Sequence, residues 1–244
     1  MRVLLTLRFL GSSYNGLQRQ ENTKNTIQEK IENAIKKIYN KDIKIEVGSR
    51  LDKGVHARDF KAHMDVDEKL PAKKIPIALN RFLPLDIRVK SAHIVSDKFH
   101  ARYDSIDKTY VYKIYVDRVI DPFLDIDYLQ LYNMPDLKLL HEVFSKIKGK
   151  HDFSAFMNYN TDVKNTVRKV KDLRLELNEN KLYIKIKADG FLYNMARIIV
   201  GVALDISFGK LTLDDLDKML EKQIKPNNFT VAKSKGLTLI ETKY

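Results

Sequence analysis

The chain has 244 residues, no cysteine and a formal net charge of +12. It therefore forms no disulfide and offers no thiolate nucleophile or cysteine zinc site. Its apolar runs fall short of the roughly 18 residues that a membrane-spanning helix needs. The excess of lysine and arginine favours a polyanionic partner such as nucleic acid. The first nine residues are too short and too soon charged for a secretory signal, so we expect a cytoplasmic protein.

In the first half of the chain, hydrophobic periodicity predicts a mixed succession of strands and helices. Residues 3–9 alternate between apolar and other side chains as a strand does. An amphipathic helix over 26–39 opens with a capping box formed by Thr26 and Glu29. The remaining predicted elements are strands over 43–47, 59–66 and 87–95 and a short helix over 73–81, which contains Pro76 and ends before Pro84.

The second half repeats this mixture after a polar segment, 99–106, that lacks periodicity. The predicted elements are strands over 108–115, 167–177, 182–188 and 237–242, with a hairpin at 178–181, and helices over 136–148, 191–208 and 212–222. The mixed order in each half predicts an α+β protein with an N-terminal subdomain, 1–105, and a C-terminal subdomain, 106–244.

The charged loop Gly48–Ala57 contains the best candidate for catalysis. Arg50, Asp52, Lys53 and His56 lie close together between two predicted strands, and chemistry tends to lie on loops that a rigid scaffold carries. Neighbouring cations favour an ionised Asp52, which could be a base, a nucleophile or a metal ligand, although cations argue against the last. Without nucleotide-binding glycine motifs or a zinc-type histidine pair, we expect neither cofactor nor metal. The alternative is that Asp52 is only a turn residue that pairs with Arg50.

Tyr110 and Arg197 are further candidates. Tyr110 lies on a predicted strand with Tyr112 and Tyr115, where core packing is the usual explanation and stacking on an RNA base is the alternative. Arg197 lies in a mostly apolar helical run, and an unpaired buried charge is very costly. We therefore expect a buried partner for Arg197, with Asp52 as a candidate, and consider a snorkelling surface position the weaker interpretation.

Several motifs, in order along nearly the whole chain, resemble those of TruA-type tRNA pseudouridine synthases. Residues 50–57, Arg-Leu-Asp-Lys-Gly-Val-His-Ala, resemble the R-T-D-x-G-V-H-A loop of that family. The other matches are 14–20 with Y-x-G-x-Q-x-Q, 78–87 with A-L-N-x-x-L-P-x-D-I, 99–102 with F-H-A-R, 108–110 with K/R-x-Y, and the segments 151–156, 191–201 and 235–237. Their number and order make a chance match implausible.

The resemblance implies a fold and a reaction. The fold is two ferredoxin-like or RRM-like halves whose antiparallel sheets meet at a central active-site cleft. The reaction is the isomerisation of uridine to pseudouridine in the anticodon stem-loop of tRNA, at positions 38–40, by a homodimer without a cofactor. The alternatives are a synthase for another tRNA position or for ribosomal RNA, and a non-catalytic RNA-binding or RNA-folding protein. The joint presence of Asp52, Tyr110 and Arg197 argues against the non-catalytic alternative.

The resemblance also implies roles for single residues. Asp52, on the N-terminal subdomain, would be the nucleophile, and Arg50 would occupy the space that the extruded nucleotide leaves. On the C-terminal subdomain, Tyr110 would stack on the flipped base, as a candidate for handling the C5 proton, and Arg197 would pair with Asp52. The other residues expected to bind the substrate are Tyr14, Gln18, His56, Arg58, Arg102 and Lys108.

Three residues depart from the family pattern. Leu51 replaces a threonine, Ser49 replaces a usual glycine and Leu17 replaces a tryptophan. None of these changes removes a chemical group that the implied reaction uses. They predict a divergent paralogue whose choice of RNA differs.

Overall fold

The computed structural model describes residues 1–158, 163 and 165–244. The chain divides into two compact units, the first comprising Met1–Ile106 and Leu239–Tyr244 and the second Asp107–Thr238. Each unit combines helices with a mostly antiparallel sheet. The predicted α+β class is therefore confirmed. Within the described ranges, no helix is long and apolar enough to cross a membrane.

The strands are β1 (Arg2–Phe9), β2 (Glu46–Val47), β3 (His56–Asp65), β4 (Ile87–Val95), β5 (Asp107–Val116), β6 (Leu129–Leu131), β7 (Gly149–Asp152), β8 (Val167–Asn178), β9 (Lys181–Ala188) and β10 (Leu237–Lys243). The α-helices are α1 (Ile27–Tyr39), α2 (Ile75–Asn80), α3 (Leu137–Ile147), α4 (Met195–Ser207) and α5 (Leu213–Glu221). Short 3-10 turns lie at Ala72–Lys74, Ser154–Phe156 and Ser234–Gly236.

The first unit is built on a sheet with the order β4-β1-β3-β10, and β2 pairs with β3. β1 runs antiparallel to both of its neighbours, so Leu5 lies opposite Ala62 and Ala92. One face of β1 and one face of α1 supply much of the core, through Val3, Leu5, Leu7, Phe9, Ile27, Ile31, Ala34 and Ile35. This arrangement places the loop between β2 and β3 at one end of the sheet.

In the second unit the strand order is β5-β9-β8-β7, and β6 runs parallel to β5. The unit also contains α3, α4 and α5, and α4 is buried along almost its whole length. A helix that packs against protein on most of its surface is largely apolar, and Arg197 is the one residue of α4 that is not buried. α5 begins with a complete capping box, in which Thr212 and Asp215 bond reciprocally, at the residue where the predicted helix over 212–222 begins.

The structure corrects some predicted boundaries. The strand predicted over 43–47 shrinks to β2, because the backbone of Ile45 bonds to α1 side chains: its N–H donates to Glu32 (3.1 Å) and its carbonyl accepts from Gln28 (3.3 Å). β3 begins three residues before the predicted 59. The helix predicted from 191 begins only at Met195, because Asn194 adopts a left-handed conformation (φ 62°) that a helix cannot contain. The strands β6 and β7 were not predicted.

Candidate active site

Asp52 opens a tight turn at the end of the loop between β2 and β3. Its carbonyl accepts a hydrogen bond from the N–H of Val55 (3.1 Å), and Gly54 has a φ of +83°. A bond from residue i+3 with a left-handed third residue is the pattern of a type II turn, which favours glycine there. The side chain of Asp52 is partly exposed. Asp52 is thus a turn residue with a partly exposed carboxylate, and its predicted role in catalysis stays a prediction.

Residues 11–17 pack against this loop and hold it through hydrogen bonds. The N–H of Gly11 donates to Nδ1 of His56 (3.1 Å), and the N–H of Leu17 donates to the carbonyl of Leu51 (3.1 Å). A Cβ on Gly11 would lie only 2.1 Å from the carbonyl oxygen of Val55. The two loops therefore approach so closely that a side chain at position 11 would collide with backbone.

Gly16 makes a second close approach to the loop. Its φ is +98°, and a Cβ there would lie 3.3 Å from the carbonyl oxygen of Leu51 and 3.4 Å from the nitrogen of Lys53. The glycine of the Y-x-G-x-Q-x-Q segment thus has a physical role beside the Asp52 turn. The motif match over residues 14–20 does not predict this support, and the glycines at positions 11 and 16 are the signal that could have revealed it.

Two of the three departures from the family pattern are buried neighbours. Leu17 and Leu51 are joined by their backbone hydrogen bond, and both side chains are buried. The third, Ser49, has a buried hydroxyl without a hydrogen-bond partner among the residues that the structure describes. Leu17 and Leu51 therefore pack beneath the surface of the Asp52 loop and are not positioned to contact RNA directly.

His56 and Tyr14, two predicted substrate-binding residues, have internal partners. His56 is 2% exposed and accepts the Gly11 hydrogen bond. Tyr14 is buried and its hydroxyl donates to Asp86 (2.6 Å), while burial and that carboxylate raise the pKa of Tyr14 well above its ordinary range. These contacts fix the loops around Asp52.

The other predicted substrate-binding residues of the first unit are accessible. Arg50, Arg58 and Arg102 are exposed and Gln18 is partly exposed. Arg102 also lies over the ring of Tyr103, with its Cζ 5.7 Å from the ring centroid. Cationic side chains in such positions can reach phosphates without unfolding any part of the unit.

Tyr110 lies within the core of the second unit. It is 4% exposed, lies opposite Ile186 on β9 and contacts the ring of Phe191 edge-on, with centroids 4.8 Å apart. This environment agrees with the core packing expected from the strand pattern. Lys108, on the same strand, is partly exposed and lies opposite Ala188.

Arg197 is partly exposed on α4 and has a fixed orientation. Its Nε donates to the carbonyl of Ala232 and its Nη1 donates to Oδ1 of Asn194, both at 2.8 Å. Both acceptors are neutral, so these two bonds orient the guanidinium without neutralising it. The predicted pairing of Arg197 with Asp52 stays a prediction.

Comparison with known proteins identifies the family. The model of the family described as tRNA pseudouridine synthase matches residues 6–104 and 143–244. The tRNA pseudouridine synthase A of Caldicellulosiruptor saccharolyticus is 37% identical over 245 residues, which cover 99% of each chain. The tRNA pseudouridine synthase A 2 of Bacillus anthracis is 35% identical over 98% of each chain. That of Clostridium perfringens (strain 13 / Type A) is 40% identical over 85% of each chain.

The chain therefore belongs to the tRNA pseudouridine synthase family. The resemblance drawn from the sequence motifs is confirmed. With it, the predicted class of enzyme is confirmed, an isomerase that converts uridine to pseudouridine in tRNA.

Proposed function

We propose that this protein isomerises uridines in the anticodon stem-loop of tRNA, at positions 38–40, with Asp52 as the nucleophile. The observation that carries the proposal is the partly exposed carboxylate of Asp52 on a turn that residues 11–17 hold in place by hydrogen bonds. A nucleophile must meet its target in a fixed geometry, and a pre-formed turn supplies that geometry before the RNA binds.

The reaction is an isomerisation, so the elemental composition of the nucleotide is unchanged although its C5 hydrogen is lost to solvent. The Asp52 carboxylate attacks the target nucleotide while the bond between ribose C1′ and uracil N1 breaks. The uracil then rotates, and its C5 forms a bond to C1′ as the bond between Asp52 and the nucleotide breaks, which returns the carboxylate. The C5 proton then leaves and N1 gains a proton. The target must first leave the base stack, at a cost of a few kcal/mol. The exposed Arg50 occupies the space that it vacates.

The second unit supplies two further catalytic groups in this proposal, Tyr110 and Arg197, while the first supplies Asp52. Tyr110 stacks on the uracil, and its hydroxyl is the candidate for handling the C5 proton. Arg197 keeps the Asp52 carboxylate ionised and oriented, as charge-assisted hydrogen bonds do. The hydrogen bonds from Arg197 to Asn194 and to the carbonyl of Ala232, which orient the guanidinium, support this role.

Tyr110→Phe separates the two roles of that tyrosine. The phenylalanine retains the ring, so we expect tRNA binding to be unchanged. A hydroxyl that handles the C5 proton predicts a loss of turnover in this variant. Unchanged turnover would limit Tyr110 to stacking.

The tRNA backbone binds to the cationic residues of the surface. The exposed Arg50, Arg58 and Arg102, with the partly exposed Lys108 and Gln18, support this role because they can approach phosphates. Each phosphate contact contributes roughly one unit to the slope of log K against log salt concentration. Tyr14 and His56 serve the same function indirectly, by holding the loops in place.

The enzyme acts as a homodimer in the cytoplasm. An apolar segment of the second unit supports the dimer, since Val119, Ile120, Phe123 and Ile126 are all at least half exposed within eight residues. Exposed apolar patches of this kind mark interaction surfaces, and a second copy is the occupant we propose. Sedimentation of the wild type should give a dimer and Phe123→Asp should give a folded monomer. A wild type that sediments as a monomer would contradict this part of the proposal.

The nucleophile is tested with tRNA labelled with tritium at uracil C5. The wild type should release the label and Asp52→Asn should not, while the exposed control Asp42→Asn should behave as the wild type. Equal release by Asp52→Asn and the wild type would disprove the role of Asp52. Binding without release by any form would favour a non-catalytic RNA-binding protein. Pseudouridine mapping of cellular RNA with and without the protein identifies the modified positions.

A further inference from the structure

The turn over residues 99–104 is rigid because of its own hydrogen bonds. The N–H of His100 donates to the carboxylate of Asp104 (2.8 Å), and the N–H of Asp104 donates back to the carbonyl of His100 (3.1 Å). Nδ1 of His100 accepts from the N–H groups of Arg102 and Tyr103, at 3.1 and 3.4 Å. The turn therefore retains its shape without help from a ligand.

The same turn is anchored to the rest of the first unit on several sides. Arg2 donates to the carbonyl of Phe99 (2.9 Å), and Nδ1 of the buried His63 accepts from the N–H of Ala101 (3.2 Å). The hydroxyl of Tyr244 donates to the carbonyl of Ala101 (2.7 Å). Internal bonds and external anchors together fix the direction in which the tip of the turn points.

An aromatic ring lies at this tip, exposed to solvent. Tyr103 is 74% exposed, so it contributes little to the core of the unit. Its ring lies 4.3 Å from that of His100, and Cζ of Arg102 lies 5.7 Å from its centroid. We call His100, Arg102 and Tyr103 the Tyr103 platform. Packing does not explain why a rigid turn should expose a flat apolar ring beside a cation.

The Tyr103 platform lies next to the loop that carries Asp52. A Cβ on Gly48, the first residue of that loop, would lie 3.0 Å from the carbonyl oxygen of Ala101. The two loops thus touch through their backbones. Asp52 is four residues from one contact point and Tyr103 is two residues from the other, so chain length limits their separation to about 25 Å. A few nucleotides of unpaired RNA can span that distance.

We propose that the Tyr103 platform is a binding site for an unpaired nucleobase of the substrate tRNA, close to the target uridine. The base stacks on the ring of Tyr103, and Arg102 contacts an adjacent phosphate. Every base has a π-face, so stacking tolerates any sequence and strengthens binding by about five- to 150-fold per base. Such a site holds the flanking RNA while the target is extruded. The proposal rests on the proposed function, because it takes the loop of a tRNA as the ligand.

The test uses tritium release from labelled tRNA with the full-length protein. Tyr103→Ala should raise KM by between about five- and 150-fold and leave kcat within about twofold of the wild type. Tyr103→Phe should retain the wild-type KM because it retains the ring. Tyr103→Leu, which is apolar but cannot stack, should resemble Tyr103→Ala. Leu85→Ala, a highly exposed apolar residue of the same unit, is the matched control and should change nothing.

Salt dependence separates the two parts of the platform. Arg102→Met should reduce the salt slope of tRNA binding by about one, whereas Tyr103→Ala should leave the slope unchanged.

An unchanged KM in Tyr103→Ala, at an unchanged unfolding temperature, would overturn the proposal. Equal KM values for Tyr103→Leu and Tyr103→Phe would also overturn it, because the contact would not be stacking. If the wild type releases no tritium, the proposed function fails, and tRNA affinity measured by filter binding still tests the platform with the same variants.

Discussion

The N–H of Gly11 donates a 3.1 Å hydrogen bond to Nδ1 of His56, at the point where the Asp52 loop enters β3. His56 is 2% exposed, so this bond is shielded from water and connects two loops 45 residues apart in sequence. A buried donor that loses its acceptor costs about 1–3 kcal/mol. The position of Asp52 therefore depends on a contact that involves neither Arg50 nor Lys53, its cationic neighbours.

Gly11→Ala should destabilise the protein and reduce turnover. The added methyl group would lie 2.1 Å from the carbonyl oxygen of Val55, and backbone on both sides limits the relief of that collision. We expect a loss of roughly 1–3 kcal/mol in the free energy of unfolding, measured by urea denaturation, and a reduced kcat for tritium release. Ser13→Ala, at an exposed position of the same loop, should stay within about 0.5 kcal/mol of the wild type. Equal stability of the two variants would contradict the close approach.

Ser49→Ala should leave the protein at least as stable as the wild type. The Ser49 hydroxyl is buried and has no hydrogen-bond partner among the described residues, and an unsatisfied buried polar group is unfavourable. Alanine removes that group while it retains the Cβ. The free energy of unfolding should therefore stay constant or rise, and a rise should not exceed about 1 kcal/mol. Ser207→Ala is the control, because the buried Ser207 hydroxyl donates to Leu204, and it should not stabilise. A clear loss of stability in Ser49→Ala would mean that the hydroxyl has a partner in solution.

Asn194→Gly should separate the orientation of Arg197 from the stability of α4. Asn194 has a φ of 62° and accepts a hydrogen bond from Arg197. Glycine adopts this conformation easily, so the variant should lose mainly the acceptor, and kcat should fall while KM stays constant. Asn194→Ala loses the acceptor and also has a strained backbone, so it should be less stable than Asn194→Gly by about 1 kcal/mol. Thermal unfolding and tritium release measure the two effects, and an unchanged kcat in both variants would exclude an orienting role for Asn194.

Elements with strong local signals could be predicted from the sequence. β4 has the predicted bounds, and α1 starts where Thr26 caps it through the N–H of Glu29. The strand predicted over 43–47 fails because the backbone of Ile45 bonds to side chains of α1 rather than to a strand partner. Periodicity reports which face of a segment is buried, but it does not report which group satisfies each backbone N–H.

The same limit applies to the candidate site. The charge and motif of residues 50–57 identify the Asp52 loop, because these signals are local. The support from Gly11 and Gly16 is marked in the sequence only by the two glycines themselves, since it depends on backbone atoms that come together only in the fold. His56 is predicted to bind the substrate, and its motif does not reveal that its ring is buried and accepts a hydrogen bond from Gly11.

His63 should make stability depend on pH. Its Nδ1 accepts a hydrogen bond from the N–H of Ala101. Burial lowers the pKa of His63 below its ordinary value of 6.5, and the nearby Arg2 and His100 lower it further. Asp65 and Glu46 raise this pKa, but by less than the other groups lower it. A pKa that is lower in the folded than in the unfolded state contributes stability above pH 6.5, and that stability is lost as the pH falls through the folded-state pKa. The comparison variant is His63→Asn, whose side-chain oxygen can accept the same hydrogen bond but does not titrate. Between about pH 7 and about pH 5, the free energy of unfolding should fall more steeply for the wild type than for this variant. Parallel curves from urea denaturation across this range would show that His63 is not the titrating group. Convergence of the two curves at low pH would attribute the loss of stability to this histidine.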